Sequence, residues 1–409
     1  MKRIKSGDPG VFSAGNLRAI AIIVIFSAFL LAGLNHLFAV PSLSTEADIA
    51  ILDTVAETIE AETFYPTYII EETEASSEEA VAFTAAVPTL PDIPPVLNIA
   101  PTPSPYTTIT ITAAGDTTLG GDSRWAGYHR FMREFENSGR DHAYFFRNVR
   151  DIFYESDLAI VNLEGTLTYA EEHMDKEFVF RGPPHFAQIL TEGAVDVVTI
   201  ANNHTIDFFD VGYRDTISAL EAEDIAYFGN EFNIIIEVNG IYVGLFGFRI
   251  WNPYQYNRNR IVSAIEDLQS RGAQLIIAYH HWGYENVNTV NSVQRAIGQF
   301  TIDSGAHLVL GSHPHVIQGI EVYQGRNIVY SLANFCFGGN SNPPDQDTFI
   351  FQQTFTFRDG KLMDTNETNI IPAFISSTRS YNNMQPTVAE GEDAERILQR
   401  IRRYSAWLE

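Results

Sequence analysis

Five short apolar runs in this 409-residue chain each stop on side chains that can bind a metal, and that repetition restricts the fold more than any other feature. "TITITAAGD" stops at Asp116, and "DLAIVNLEG" at Asn162 and Glu164. "VDVVTIANNH" stops at Asn202, Asn203 and His204. "AQLIIAYHHWGYE" stops at His280 and His281, with Glu285 close behind, and "AHLVLGSHPH" at His313 and His315. Amphipathic helical stretches alternate with the runs, which is the signature of an α/β fold. In open α/β sheets, sites form at the carboxyl ends of the strands. Five ends carrying carboxylate, carboxamide and imidazole groups therefore point to one convergent pocket.

In the last run, His313 and His315 flank Pro314. Residues i and i+2 of an extended segment point the same way, and proline pushes the residue before it toward extended geometry. Two imidazoles on one side of a strand end suit a metal ion, although taken alone the motif fits a pair of hydrogen-bonded loop histidines equally well. The wider set narrows the chemistry. Imidazole with carboxylate and no thiolate suits zinc, manganese or iron. The donors exceed what one tetrahedral ion needs, and two ions about 3.5–4 Å apart, bridged by a carboxylate, would suit phosphate-ester hydrolysis. No G-x-S-x-G nucleophile elbow is present, and "GDTTLGG" lacks the Lys-Ser/Thr of a phosphate-binding loop, so its glycines are expected to turn the chain after the first strand. The single cysteine, Cys336, permits no intramolecular disulfide and reads as a small core residue between two phenylalanines.

The formal charge of −25 argues against nucleic acid as a partner, because binding phosphates takes clustered Lys and Arg. Charge also divides the chain. Residues 1–18 hold Lys2, Arg3, Lys5 and Arg18, and Ala19–Val40 then runs 22 residues without a formal charge, enough to span a bilayer. The positive-inside rule places 1–18 in the cytoplasm and the bulk of the chain outside, with membrane contact through 19–40. A cleaved signal peptide is the competing reading, but the run is long for one and no A-x-A site follows. Residues 41–105 hold twelve acids and no bases and end in a proline-rich stretch, a composition expected to form a disordered, extended tether. The head, 106–409, carries 22 bases against 38 acids, a net of −16.

"AGDTTLGG", "NLEGTLT", "ANNHTIDF", "HWGYE" and "GSHPHVIQGIEVYQGRNIVYSLANF" occur in this order between about Thr108 and Phe337. Together they resemble the CapA/PgsA family of capsule and poly-γ-glutamate synthesis proteins, which is similar in turn to the calcineurin-like metallophosphatases. The resemblance implies a two-sheet sandwich flanked by helices, an extracytoplasmic head behind a membrane anchor, and a divalent metal site of one or two ions. It makes Asp116 the first-strand ligand and Glu164 the bridging carboxylate. Asn203 becomes the carboxamide ligand and His204 the candidate general acid. His281 is the fourth-motif ligand with His280 its alternative, and His313 and His315 complete the set. Asp207, Glu285 and Asn162 stand as supporting groups or alternative ligands, and Asn334 as either a turn residue or a ligand contact. One departure matters: the metallophosphatase first motif is Asp-x-His, and position 118 here is Thr. Three functions follow as expectations. The first is a metal-dependent phosphoesterase-like protein serving capsule or poly-γ-glutamate synthesis or export, with that polymer or its synthase subunits as partners. The second is a general phosphoesterase acting on nucleotides or surface phosphates. The third is a non-catalytic assembly subunit.

Outside the motifs, "EVNGIYVGLFGF", "YQGRNIVY" and "FQQTFTFRDGKL" read as hairpins turning at Asn-Gly, Gln-Gly and Asp-Gly. "GEDAERILQRIRRYSAWLE" reads as a terminal amphipathic helix with Arg396, Arg400, Arg402 and Arg403 on a solvated face.

Overall fold

The computed structural model describes residues 106–408. The expected cytoplasmic segment (1–18), anchor (19–40) and tether (41–105) lie outside the described residues, and among those described no helix is long and apolar enough to cross a membrane. Strands β1 (Tyr106–Thr118), β2 (Leu158–Leu163), β3 (Val197–Thr199) and β4 (Ala226–Phe228) come first. Next are β5 (Ile234–Val238), β6 (Ile241–Phe246), β7 (Leu275–Trp282), β8 (Leu308–Ser312), β9 (Ile320–Tyr323) and β10 (Arg326–Val329). The chain returns with β11 (Asn334–Phe337), β12 (Asp347–Arg358) and β13 (Glu367–Phe374).

Two sheets result. The nine-stranded sheet has the order β13-β12-β1-β2-β3-β4, with β11 beside the end of β1 and two short strands off its edge. Its strands β1 to β4 are mutually parallel, whereas β12 and β13 run antiparallel. The seven-stranded sheet has the order β9-β10-β8-β7-β6-β5, plus a short strand at Arg249–Ile250. The three expected hairpins form, turning at Asn239-Gly240, Gln324-Gly325 and Asp359-Gly360 with φ positive at both residues of each turn. That is the type I′ geometry whose twist matches the flanking strands.

Parity sorts each strand between layers. Ile109, Ile111 and Ile160 meet Leu275, Ile277 and Leu310 in the core between the sheets. Ala159, Val161 and Val198 face outward, under helices that include α1 (Ala126–Asn137) and α2 (Phe209–Ala222). Ile276, Ala278 and Val309 do the same on the other side, under α3 (Gln255–Ser270) and α4 (Ser292–Asp303). The product is a mixed α/β sandwich of two sheets between helices, the architecture the resemblance implied. Cys336 is buried in the outer layer of the first sheet, as a core residue, and burial pushes its thiol pKa up.

The terminal helix α5 (Gly391–Ser405) docks through Ile397, Ile401 and Tyr404. Its arginines correct the sequence reading in part. Residues 396 and 400 share a helical flank, and that flank lies over the start of β12. Arg396 grips Asp347 through two bonds of 2.5 and 2.8 Å, and Arg400 bonds Asp345 at 2.6 Å as well as Asp347. Arg402 stays on the exposed side, paired with Glu395. Burial opposes charge on Asp347, but the hydrogen bonds from Arg396 and Arg400 prevail and lower its pKa. A depressed carboxylate pKa stabilises the fold above the unfolded value near 4 and is lost as pH falls through the folded value. Asp347→Ala should therefore cost about 1–3 kcal/mol at neutral pH. In urea melts that difference should shrink below pH 4, and a cost that persists unchanged at pH 3 would rule out the ionic docking.

Candidate metal centre

Register brings three polar side chains abreast at the carboxyl ends of the first sheet. Asp116 of β1 pairs with Asn162 of β2 on one side and with Asn334 of β11 on the other. β11 can come that close because position 115 is glycine: a Cβ there would lie 1.8 Å from the Ala333 carbonyl oxygen. Asn162 Nδ2 donates to Asp116 Oδ1 at 2.8 Å, and Asn202 Nδ2 donates to Asn162 Oδ1 at 3.1 Å. Glu164 follows β2 directly and is fully buried.

The second sheet supplies the imidazoles. His281, at the end of β7, shares parity with Leu275, Ile277 and Tyr279 and so faces the space between the sheets. Its Nε2 lies 2.6 Å from Asn203 Oδ1 and 3.5 Å from Glu164 Oε1. His280 has the other parity and lies against Phe246, Phe248 and Trp282 in the helical layer, 3.2 Å from Thr301 of α4. The structure thus places His281, and not its alternative His280, with the cluster.

His313 and His315 reach the cluster by a route the sequence reading did not anticipate. Their φ values are +96° and +59°, so the segment after β8 is a tight left-handed turn and not an extended strand end. Non-glycine residues in that region store strain, about 1–3 kcal/mol each, and persist where the surroundings hold them. Here the holding groups are visible. The His313 N–H donates to Asp116 Oδ2 at 3.3 Å. His315 Nδ1 lies 3.1 Å from Asp116 Oδ2 and 2.9 Å from Asn334 Oδ1, while Asn334 Nδ2 donates to the His315 carbonyl. Asn334 is a positioning contact of the cluster.

Two donor groups overlap on one carboxylate. Asp116, Glu164 and His315 form one, and Glu164, His281 and His313 the other, with ligand atoms within 4.8 Å of one another in each. Asn203 adjoins the second group through His281. Among the described residues neither Glu164 oxygen accepts a hydrogen bond, and His313 Nδ1 is also buried without one. Burying an unpaired carboxylate costs several kcal/mol, so the orphaned Glu164 oxygens, within 4.8 Å of ligand atoms of His281 and His313, fit a cation. Protonation energetics agree. Burial, then Asp116, raises the Glu164 pKa well above its usual value. Burial, helped by the other histidines, lowers His281 well below its usual value and His313 to about 3. Both rings are then neutral and offer lone pairs. Burial works against charge on His315 too, but the facing Glu164 and Asp116 carboxylates raise it to about 10, so without a cation a proton occupies that place. Against the same burial penalty, the His315 contact keeps Asp116 below its usual value.

The remaining predicted residues sit around this cluster. His204 is buried, stacked on Phe180 at 4.0 Å, with Nδ1 2.6 Å from Asp207 Oδ2. Asp207 also binds Lys176 Nζ at 2.5 Å, and Lys176 in turn donates to the Asn203 carbonyl. Burial outweighs Asp207 and lowers the His204 pKa. At neutral pH it is thus a neutral ring with its Nδ1–H on Asp207, not the ready proton donor that an unperturbed histidine would be. Glu285 is exposed and faces His313 and His315 from the rim. Thr118, where the resemblance expects His, is buried with its hydroxyl unpartnered. The Asp116 group is therefore one imidazole short. Gly120 and Gly121 turn the chain after β1, both at positive φ, as expected. Sequence reasoning missed Lys176 and Trp251, whose ring lies 4.6 Å from His313. Both come from loops without a motif.

Residues 110–339 match the family model described as bacterial capsule synthesis protein PGA_cap, over more than half of the chain and with every candidate site residue inside the match. The chain belongs to this family. Curated relatives agree with PGA_cap membership. Capsule biosynthesis protein CapA of Bacillus anthracis is 29% identical over 256 residues, covering 56% of this chain and 60% of that protein. PGA biosynthesis protein CapA of Bacillus subtilis is 28% identical over 213 residues, 47% of this chain and 56% of that one. A probable polyglutamine synthesis accessory protein of Mycobacterium tuberculosis is 27% identical over 209 residues, 44% and 55%. The matched segments thus span about 55–60% of each relative.

Neighbouring histidines give a sharp test of the PGA_cap centre. His281→Ala should abolish most bound transition metal, measured by mass spectrometry of the purified protein, because it removes one of the candidate donors grouped with Glu164 and His313. His280→Ala should keep the metal and instead destabilise the fold by about 2–4 kcal/mol as a core truncation. The reverse pattern would exchange their roles.

Proposed function

We propose that this protein is a membrane-anchored, extracytoplasmic, metal-dependent phosphoesterase of capsule or poly-γ-glutamate synthesis. What carries the proposal is Glu164, a buried carboxylate with no hydrogen bond to either oxygen, shared by the two donor groups. In this reading Asp116, Glu164 and His315 hold one ion, and Glu164, Asn203, His281 and His313 hold another. Bound there, divalent ions would supply Lewis-acid stabilisation of phosphoryl oxygens and a more acidic water. Water attacks phosphorus, the ester P–O bond breaks, and the leaving oxygen takes up a proton. His204 moves protons at Nε2: its Nδ1 is committed to Asp207, so Nε2 receives the proton released by water and returns it to the leaving oxygen. Asp207 fixes that tautomer, Phe180 fixes the ring plane, and Lys176 anchors both Asp207 and the Asn203 backbone.

Ala19–Val40 serves as the anchor, 41–105 as the tether, and 106–409 as the working domain. The named roles of the relatives, in capsule biosynthesis and as a polyglutamine synthesis accessory protein, support association with a polymer synthase. The non-catalytic assembly reading draws on one observation, the loss of an imidazole at Thr118.

Two measurements test this. Residues 106–409 expressed alone should give a single cooperative thermal transition, and an unfolded product would refute the boundary. His204→Ala should keep its metal and melting temperature while phosphoester hydrolysis falls about 10²–10⁴-fold. Hydrolysis equal to the parent's would end the proton-transfer role, and a parent inactive across mono- and diesters would favour the assembly subunit.

A further inference from the structure

Beside the centre lies a cavity of about 380 Å³ whose lining includes Ile250, Trp251, Tyr284, Glu285, Val293 and His313. His313 borders both this cavity and the Glu164 donor group, and the Trp251 ring lies 4.6 Å from it. A carboxylate oxygen of Glu285 lies within 4.8 Å of ring nitrogens of His313 and His315. The loop that carries Tyr284 and Glu285 is held in place at both ends. Gly283 turns it at φ +91°, where a Cβ would lie 2.7 Å from Gln294 Nε2 of α4. The Asn286 N–H donates to the Pro314 carbonyl at 2.8 Å, which ties the loop to the His-Pro-His turn. Three side chains of this wall have no part in the core. Trp251 is 44% exposed and Tyr284 64%, and aromatic surface of that size would be better buried. Glu285 is exposed, and among the described residues its carboxylate makes no hydrogen bond and no ion pair. No Lys or Arg lines the cavity, and Arg249, whose charge reaches His281 and His313, stands outside its wall. A phosphate at the centre would therefore face the Glu285 charge, and the two repel.

We infer that the cavity is a subsite for an alkylammonium group, carried on a short arm by the phosphoester that the centre takes, as in ethanolamine and choline esters. The inference rests on the phosphoesterase reading for where the phosphate sits. Aromatic rings attract ammonium groups through their quadrupole, Trp most strongly, and Trp251 and Tyr284 supply two such rings. Ile250 and Val293 add apolar surface that suits methyl and methylene groups. The ammonium also cancels the Glu285 charge that would otherwise repel the phosphate. A neutral ring such as a sugar would cover the aromatic surface but leave that repulsion in place. Net charge agrees, because a domain at −16 repels a plain phosphoester more than one that brings its own positive charge.

The test uses the full chain in dodecyl maltoside, loaded with Mn²⁺, and titration calorimetry with two probes of one shape. These are phosphocholine and its uncharged carbon analogue, 3,3-dimethylbutyl phosphate. Phosphocholine should bind about tenfold tighter, a margin in keeping with a cation on an aromatic ring. Glu285→Gln and Trp251→Leu should each cut that ratio below about threefold. The ratio is the readout because a damaged fold weakens both probes alike, and Trp251→Phe, which keeps a smaller ring, should retain part of it. Equal affinity of the parent for the two probes overturns the subsite, as does a full preference surviving in Glu285→Gln or Trp251→Leu. Loss of metal from Glu285→Gln overturns it too, since Glu285 would then be a ligand of the centre. A free ester and a lipid headgroup share this chemistry, and short-chain phosphatidylcholine added to the micelles separates them. Displacement of phosphocholine would assign the subsite to a headgroup, and no displacement to the free ester. Failure of the subsite stays distinct from failure of the phosphoesterase reading. A preference for phosphocholine without turnover of any ester sinks the phosphoesterase and sustains the subsite, whereas hydrolysis of the two esters at equal kcat/KM does the opposite.

Discussion

A carboxylate buried between two sheets sets the terms for everything around it. Glu164 is fully buried and accepts no hydrogen bond among the described residues. Water cannot solvate it there, so charge must be matched by protonation or by a cation. Its neighbours come from different layers: Asp116 and Asn162 from the first sheet, His281 and His313 from the second. The centre therefore exists only when the sheets are packed at the spacing set by Ile109, Ile111 and Ile160 against Leu275, Ile277 and Leu310. Tyr279 reinforces that spacing at the edge of the pocket, donating to the Ala114 carbonyl across the interface and lying 2.7 Å from Ser312. Fold stability and site geometry are one property here, because the same interface carries both.

Strain is concentrated at the same place. His313, His315 and Ala333 all have positive φ without being glycine. Ala333 lies where the chain passes from the second sheet to the first, and His313 and His315 lie in the loop after β8 that reaches Asp116 of the first sheet. Two left-handed residues around Pro314 cost about 2–6 kcal/mol together, and such geometry survives only where contacts on both sides hold it. Asp116 serves in that capacity twice, accepting from the His313 backbone and facing the His315 ring. Its role is thus as much to hold the turn as to present an oxygen.

The class of fold was legible because parallel strands, turn dipeptides and helical stretches each leave a local trace, and the three Asn/Gln/Asp-Gly hairpins illustrate it. The centre was legible as a set of strand ends. Individual orientations were not. β7 is buried on both faces, so its hydrophobicity does not alternate and cannot tell His280 from His281. The distinction rests on which face meets the other sheet, a tertiary fact. The His-Pro-His turn was misread for a similar reason: proline biases its neighbour toward extended geometry by a modest amount, and contacts from Asp116 and Asn334 overrule it. Arg396 and Arg400 could not be told from Arg402 without knowing that Asp345 and Asp347 lie beneath them. Lys176 and Trp251 left no trace, since a long loop brings in the first and a short connection the second, both at positions with no periodicity.

The charge balance ties these features to recognition. Without ions, the protonated His315 offsets Asp116 and burial favours the protonated form of Glu164, so the pocket offers an anion no net positive charge, within a domain of net charge −16. An anionic substrate would be turned away from such a pocket. Ions held in the proposed manner would supply the missing positive charge, so the cation that resolves the burial of Glu164 would also be what admits a phosphate. Ionic attraction is then concentrated at the centre and fades over about 8 Å in physiological salt. In the proposed function, what distinguishes one phosphoester from another would then come from contacts made by the rest of the substrate.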